Sequence, residues 1–301
     1  MSIHLRPYGN KGDDQLVEAF DELMGIGMLR HCQPERDIVF AKAGDEVVGY
    51  GRVWLNERNG EHRYFLEVTT TASAPEDAVR KLFVRIEHHT SDLCASYSQG
   101  VRASAKVFVT ERKGTLERLV QQLGFNVERT DLTMKRSLEG PLPTSALPTD
   151  VGLRRADCGI GQFVIDVMAE VFGGERPDLQ TKMTPEDFDD WMSGAPASEA
   201  LSLAAWSIHD GDAASIALNH VDQDRHVGIV SHVATRVSWR KRGIARALIA
   251  ESLRMFQSLG LREAMLEVND FNASAISLYK YLGFEVASKI RLYNKTLHSG
   301  S

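Results

Sequence analysis

Arg240-Lys241-Arg242-Gly243-Ile244-Ala245-Arg246 puts cations where a helix should least want them. The residues before it, Gly228-Ile229-Val230-Ser231-His232-Val233-Ala234-Thr235, are β-branched and apolar and predict a strand. After it, Ile244, Leu248, Ser252, Met255, Phe256 and Leu259 fall on one stripe at helical spacing. The basic cluster therefore occupies a strand-to-helix turn at a helix N-terminus. The macrodipole there is positive, and helices ordinarily begin with Asp or Glu. A bound anion reconciles the two, because free N–H groups and a Gly that admits close backbone approach make a phosphate cradle. A solvated basic turn is the plainer reading of a charge cluster alone. The preceding strand and the placed Gly favour the anion site.

A second pattern follows. Ala264-Met265-Leu266-Glu267-Val268 reads as a strand, and Asn272 is a suitable N-cap for the helix after it. Ala275, Ile276, Leu278, Tyr279 and Leu282 make one helical face, and Gly283 ends it before Phe284. Tyr279 on the packed face needs a partner for its hydroxyl, inside the protein or at a ligand. Together, Arg240-x-x-Gly243-x-Ala245 after a strand and Asn272-x-x-Ala275-x-x-Leu278-Tyr279-x-x-x-Gly283-Phe284 resemble the GNAT superfamily of acetyl-CoA-dependent N-acetyltransferases. The resemblance covers residues 228–297. Val237 stands where Pro is frequent and Ala245 replaces the second Gly, a known family alternative.

The resemblance implies a fold, a cosubstrate and roles. The fold is α/β, a mixed sheet flanked by helices. Acetyl-CoA is the cosubstrate and no metal is required. Lys241, Arg242, Gly243, Ile244, Ala245 and Arg246 match the pyrophosphate loop, and Asn272 matches a side chain that contacts CoA. The backbone of Val233, Ala234 and Thr235 matches the strand end that pairs with pantetheine and polarises the carbonyl. Tyr279 matches the family's proton donor; a thiol of pKa ~8.5 and a phenol of ~10 suit protonation of the departing sulfur. Leu266-Glu267-Val268, followed by Asn272 four residues later, resembles the spacing in ribosomal-protein alanine acetyltransferases, where that Glu is the proton acceptor; a solvated or salt-bridged strand Glu is the competing reading. Ser231 and Ile229, where other members place a base, cannot serve as one. His232 could, but strand alternation turns it to the face opposite Ser231. A chain of waters is the remaining route.

Bulk composition sets the frame. A chain of 301 residues suggests about two domains. With 43% apolar and 25% charged residues it suits globular domains with real cores. A net charge of −6 argues against a general nucleic-acid surface. The three cysteines, Cys32, Cys94 and Cys158, have no metal-ligand spacing and fit a reducing compartment. The opening Met1-Ser2-Ile3-His4-Leu5-Arg6 reads as a strand rather than a signal peptide, and no apolar run approaches a membrane span. The expected location is cytoplasmic, with no membrane and no nucleic-acid partner.

Leu138 to Asp150, with prolines at 141, 143 and 148, is the clearest linker. The pattern repeats on either side of it. Ile3–Pro7 and Val151–Arg155 read as opening strands; Ile38–Trp54 and Leu201–Val221 read as hairpins, turning at Gly44-Asp45 and near Gly211-Asp212. Leu123-Gly124-Phe125 and Leu282-Gly283-Phe284 both close a helix and start a strand. Two GNAT-like folds in tandem are expected, 1–137 and 151–301, joined by a Pro-rich linker over 138–150. Mycothiol synthases share this architecture.

The first copy reads as silent. In place of the basic loop it has Thr71-Ala72-Ser73-Ala74-Pro75-Glu76-Asp77-Ala78, an ordinary helix start with Ser cap, early Pro and acidic first turn. Val120 stands where Tyr279 does, and Lys113 where Asn272 does. In the second copy, Asp157–Gly194 is expected to roof the acceptor site. Its acidic run, Thr184-Pro185-Glu186-Asp187-Phe188-Asp189-Asp190-Trp191, is either a standard helix start or a negative rim that attracts a cationic amine. The expected function is acetyl transfer to a small-molecule primary amine by the C-terminal domain. The alternative is a non-catalytic acyl-CoA sensor or assembly module. Acceptor identity and oligomeric state are open at this level.

Overall fold

A computed structural model of the chain describes residues 2–17, 37–58, 60–111, 114–155, 161–172 and 201–297. The chain divides into two compact units, Met1–Thr130 with Lys289–Ser301, and Asp131–Ser288.

The first unit contains β1 (Ile3–Pro7), β2 (Ile38–Ala43), β3 (Glu46–Arg58), β4 (Glu61–Thr70), α1 (Glu76–Tyr97), β5 (Arg102–Thr110) and α2 (Gly114–Gln122). Gly44 adopts φ +64 at the β2–β3 turn, as the hairpin reading requires. Strands β1 to β4 are antiparallel neighbours, whereas β4 and β5 run parallel because α1 carries the chain back across the sheet. Leu82, Phe83 and Ile86 of α1 and Leu119 and Val120 of α2 pack onto Tyr64, Leu66 and Val107. Helix α1 begins two residues later than its sequence suggests. Its N-cap is Pro75, extended at φ −61 and ψ 146, with no side-chain cap; Ser73 instead pairs with Thr71 at 3.3 Å.

The second unit begins in β6 (Asn126–Ser137) and continues through β7 (Val151–Arg155), α3 (Gly161–Phe172), β8 (Leu203–Ser207), β9 (Ala213–Asp222), β10 (Val227–Thr235), α4 (Ile244–Ser258), β11 (Glu263–Asn269) and α5 (Ala273–Tyr281). Its strand order is β6-β11-β10-β9-β8-β7, with only β10 and β11 parallel. Helices α4 and α5 cover one face through Leu248, Leu253, Phe256, Tyr279 and Leu282, and α3 covers the other through Val164 and Val167. The stripe on α4 is buried from Ile244 to Phe256, while Leu259, just past the helix, is 54% exposed. Gly228 is required by packing: a Cβ there would lie 2.4 Å from Cγ of Phe256.

The last strand of each sequence repeat belongs to the other repeat's unit. From Asp131 onward β6 pairs with β11, Glu267 opposite Thr133. The closing strand β12 (Glu285–Leu297) pairs with β5 of the first unit, Ile290 opposite Thr110 through Leu297 opposite Ala103. The compact units therefore differ from the expected spans 1–137 and 151–301. The linker contains no helix or strand, and it packs onto the second unit. Leu138 is buried, and Gln257 donates Nε2–H bonds to the carbonyls of Leu138 at 2.6 Å and Gly140 at 3.1 Å.

Cys32, Lys113, Cys158 and the acidic run at 184–191 lie outside the described residues. No helix among the described residues is long and apolar enough to cross a membrane.

Candidate acyl-CoA site

The turn before α4 is built from two left-handed residues. Lys241 adopts φ +61 and Gly243 φ +80, and Gly243 caps α4 without a side chain. The first helical bond runs from Ala247 N to Gly243 O at 3.0 Å. The N–H groups of the opening turn therefore point away from the helix, as in an anion-binding nest. The cations around it are held in place. Arg242 donates to both carboxylate oxygens of Asp150 at 2.6 and 2.7 Å and lies over the Trp239 ring at 4.7 Å. Arg246 donates to Ser145 Oγ at 3.0 Å, and Arg240 donates to the carbonyl of Thr235 at 3.1 Å. Asp150 stays ionised, its pKa lowered mainly by the Arg242 hydrogen bond. The linker thus positions two arginines of the loop, which sequence reading did not anticipate. Backbone N–H groups, left-handed turn and fixed cations fit the pyrophosphate of a CoA.

Beside this turn the sheet opens. The parallel register of β10 and β11 runs from Val227–Glu263 to Val230–Leu266 and ends there, although β10 continues to Thr235 and β11 to Asn269. Over the same span β10 remains paired to β9 up to Thr235–Ser215. Among the described residues, the edge of β10 facing β11, including Val233, Ala234 and Thr235, is therefore without a strand partner. The carbonyls and N–H groups that point to this edge, rather than to β9, are available to an extended ligand arm. Two carbonyls of the stretch are partly engaged, since Ala234 O accepts from Ser215 Oγ at 2.8 Å and Thr235 O from Arg240.

The two faces of the gap differ. On the helix face, Tyr279 is 9% exposed and belongs to the cluster containing Val230, Leu266 and Val268, with Val233 packed against it. Its ring meets Phe284 edge-on at 6.1 Å. Burial pushes its phenol up to about 12, so it is protonated throughout the working pH range. Asn272 caps α5, its side-chain oxygen accepting from Ala275 N at 3.2 Å and Ser274 Oγ at 3.1 Å. At the other end Arg136 of β6 donates to the carbonyl of Leu282, and Gly283 turns away at φ +85.

On the opposite face, Met265, Glu267 and Asn269 alternate with the buried Leu266 and Val268. Glu267 is solvent-exposed at one side, yet surrounding protein and the nearby Asp131 charge raise its pKa. A β-bulge interrupts β10 between Val230 and His232. It cancels the alternation on which the expectation for His232 rested. His232 lies opposite Leu218, whose side chain packs under α3, and Ser231 is hydrogen-bonded to His220 Nδ1 at 2.7 Å on that same face. Ser231 and His232 thus share a face. His220, which sequence reading missed, carries no local signal beyond its place in an apolar hairpin strand.

In the first unit β4 and β5 also part, after Leu66–Val107. The helix start beyond them is closed, however. Glu76 accepts from Thr115 Oγ1 at 2.6 Å and Arg118 Nη2 at 3.3 Å, linking α1 to α2, and Asp77 pairs with Lys81 at 3.0 Å. Glu67, the first residue past the parting, is neutralised by the fully buried Arg52 at 2.7 Å. Val120, the counterpart of Tyr279, is a core residue.

A sequence profile described as the acetyltransferase (GNAT) family matches residues 165–284. A mycothiol acetyltransferase from Acidothermus cellulolyticus is 32% identical over 177 residues, 55% of this chain and 54% of that protein. The alignment thus spans only about half the length of that relative. One of the same name from Geodermatophilus obscurus is 29% identical, covering 85% of this chain and 82% of its own length. Among solved structures, a GCN5-related N-acetyltransferase from Sphaerobacter thermophilus superposes over 99% of this chain and 97% of its own, with a TM-score of 0.76 and 20% identity. A tandem GNAT protein from the clavulanic acid biosynthesis pathway superposes over 100% of this chain and 99% of its own, with a TM-score of 0.68 and 13% identity. Residues 165–284 thus resemble the GNAT acetyltransferase family, and the fold is that of tandem GNAT structures.

Proposed function

We propose that the second unit transfers the acetyl group of acetyl-CoA to a primary amine by direct attack, with Tyr279 as general acid. The observation that carries this reading is the opened β10–β11 edge with Tyr279 on one face and Glu267 on the other. The turn at Lys241–Arg246 holds the pyrophosphate, and the β10 edge at Val233–Thr235 pairs with the pantetheine arm. Acetyl-CoA supplies the activated thioester. Tyr279 gives its proton to the sulfur as the C–S bond breaks, and Glu267 takes a proton from the amine nitrogen. Glu267 and Asp131 make the acceptor face negative, which suits an amine arriving as a cation. The matching proteins named mycothiol acetyltransferase support a small-molecule acceptor. Thiol release from acetyl-CoA across a panel of small amines tests the reading. Binding of acetyl-CoA without amine-dependent release would instead identify a non-catalytic acyl-CoA module.

A further inference from the structure

Acetylating an amine that arrives as an ammonium removes two protons from its nitrogen and returns one to sulfur. On the acceptor face Glu267 accounts for one of the two. We propose that Ser231 and His220 form the second proton acceptor, a relay in which Ser231 faces the nucleophile and His220 stands behind it. The inference rests on the acetyl-transfer reading of the same gap.

Three observations place the pair. Ser231 is the first residue of β10 beyond its last pairing with β11, so it lies at the mouth of the opening, and continuation of that register sets it beside Glu267. Strand alternation from Ile229, which lies opposite His220, sets it on the acceptor face, and the bulge just beyond brings His232 to the same face. Its Oγ is 2.7 Å from His220 Nδ1, and His220 is itself opposite Ile229 on that face. Burial lowers the pKa of His220, with the charge of Asp222 opposing, so the imidazole is neutral at pH 7 and able to accept. The remaining titratable or charged groups described on this face are His232 on β10, Glu267 and Glu263 on β11, Asp131 and Lys135 on β6, and Arg154 on β7, which lies over the Trp206 ring at 4.7 Å. Lys135 and Glu263 pair with each other at 2.6 Å. Helix α3 brings Asp166, bonded by Gln162 at 2.7 Å, and Glu170, which holds Arg236 at 2.9 Å and Val237 N at 3.0 Å.

The step balances as follows. One proton leaves the ammonium to Glu267. As the C–N bond forms, the nitrogen loses its basicity and a second proton passes to Ser231 Oγ, whose own proton moves to His220 Nδ1. As the C–S bond breaks, Tyr279 protonates the sulfur. Glu267, His220 and Tyr279 then exchange with solvent, for a net release of one proton. The relay requires the Nε2–H tautomer of neutral His220, so that Nδ1 accepts from Ser231.

The test combines kinetics with a readout independent of turnover. His220→Gln and Ser231→Ala should each lower kcat roughly 10²-fold. Each should also remove the limb of the pH–kcat/KM profile that His220 governs, on the acid side of pH 6.5, while acetyl-CoA affinity stays within about twofold. Nitrogen-15 NMR of the wild-type protein should show His220 as the Nε2–H tautomer, with a low pKa that moves in Ser231→Ala. A pH profile unchanged in either variant, or an Nδ1–H tautomer in the wild type, overturns the relay. Failure of the wild type to acetylate any amine, with the NMR signature intact, overturns the acetyl-transfer reading instead, and the two failures are distinct.

Discussion

Tyr279 stands for the residue scale, because its chemistry depends on a pKa that only burial sets. With its folded pKa raised from 10 to about 12, the neutral phenol is favoured by folding. That contribution is complete below pH 10 and is lost as pH rises through about 12. Absorbance titration of the wild type against Tyr279→Phe should therefore differ by one phenol ionising near pH 12, with no difference at pH 10. The same substitution should lower kcat roughly 10²–10⁴-fold with acetyl-CoA affinity nearly unchanged, since only the departing sulfur needs the proton. Near-wild-type single-turnover rates would remove Tyr279 from its assigned role. Gly243 is the other decisive residue. Its φ of +80 disfavours any side chain, and a carboxylate there would oppose the pyrophosphate. Gly243→Glu should abolish acetyl-CoA binding in calorimetry while circular dichroism stays unchanged; affinity within threefold of wild type would put the phosphates elsewhere.

At the scale of elements, the site depends on how α4 and α5 are seated. Helix α4 rests on Gly228 through Phe256, where an added methyl has no room. Gly228→Ala should cost about 1–3 kcal/mol in denaturant unfolding and weaken acetyl-CoA binding by displacing the α4 turn. Helix α5, which carries Tyr279, is held at its C-terminus by Arg136 from β6. Removing that donor should cost about 1–2 kcal/mol and lower kcat more than it changes acetyl-CoA affinity, because a helix-end carbonyl loses its cation. An Arg136→Ala protein with unaltered stability and turnover would show that α5 is positioned by its apolar face alone. Both elements were legible in the sequence, from the Ile244–Phe256 stripe and from the Asn272 cap with its Gly283 stop. Their supports were not, since Phe256 meets Gly228, and Arg136 meets Leu282, across long stretches of chain.

At the scale of the whole molecule, strand exchange ties the repeats together. A fragment ending at residue 137 lacks the β12 residues that pair with β5, and one beginning at residue 151 lacks the β6 residues that pair with β11. Neither should fold alone, whereas co-expressed fragments should recover structure; independent, cooperative unfolding of either fragment would contradict this. The intact chain should bind one acetyl-CoA in calorimetry, because Glu76 and Asp77 occupy the helix start of the first unit. A stoichiometry of two would show that the first gap also accepts the ligand. The sequence alone determined the tandem fold, the basic turn, the capped helix of Tyr279 and the divergence of the first copy. Each of these is written in spacing over a few residues, where local propensity and periodicity act. Tertiary structure decided which strand completes which sheet, how the linker holds Arg242 and Arg246, and which side chains meet at the gap. Strand partners are chosen by pairing across more than a hundred residues. The bulge that brings Ser231 and His232 to one face exists only against the register of β9, so no local pattern in β10 announces it.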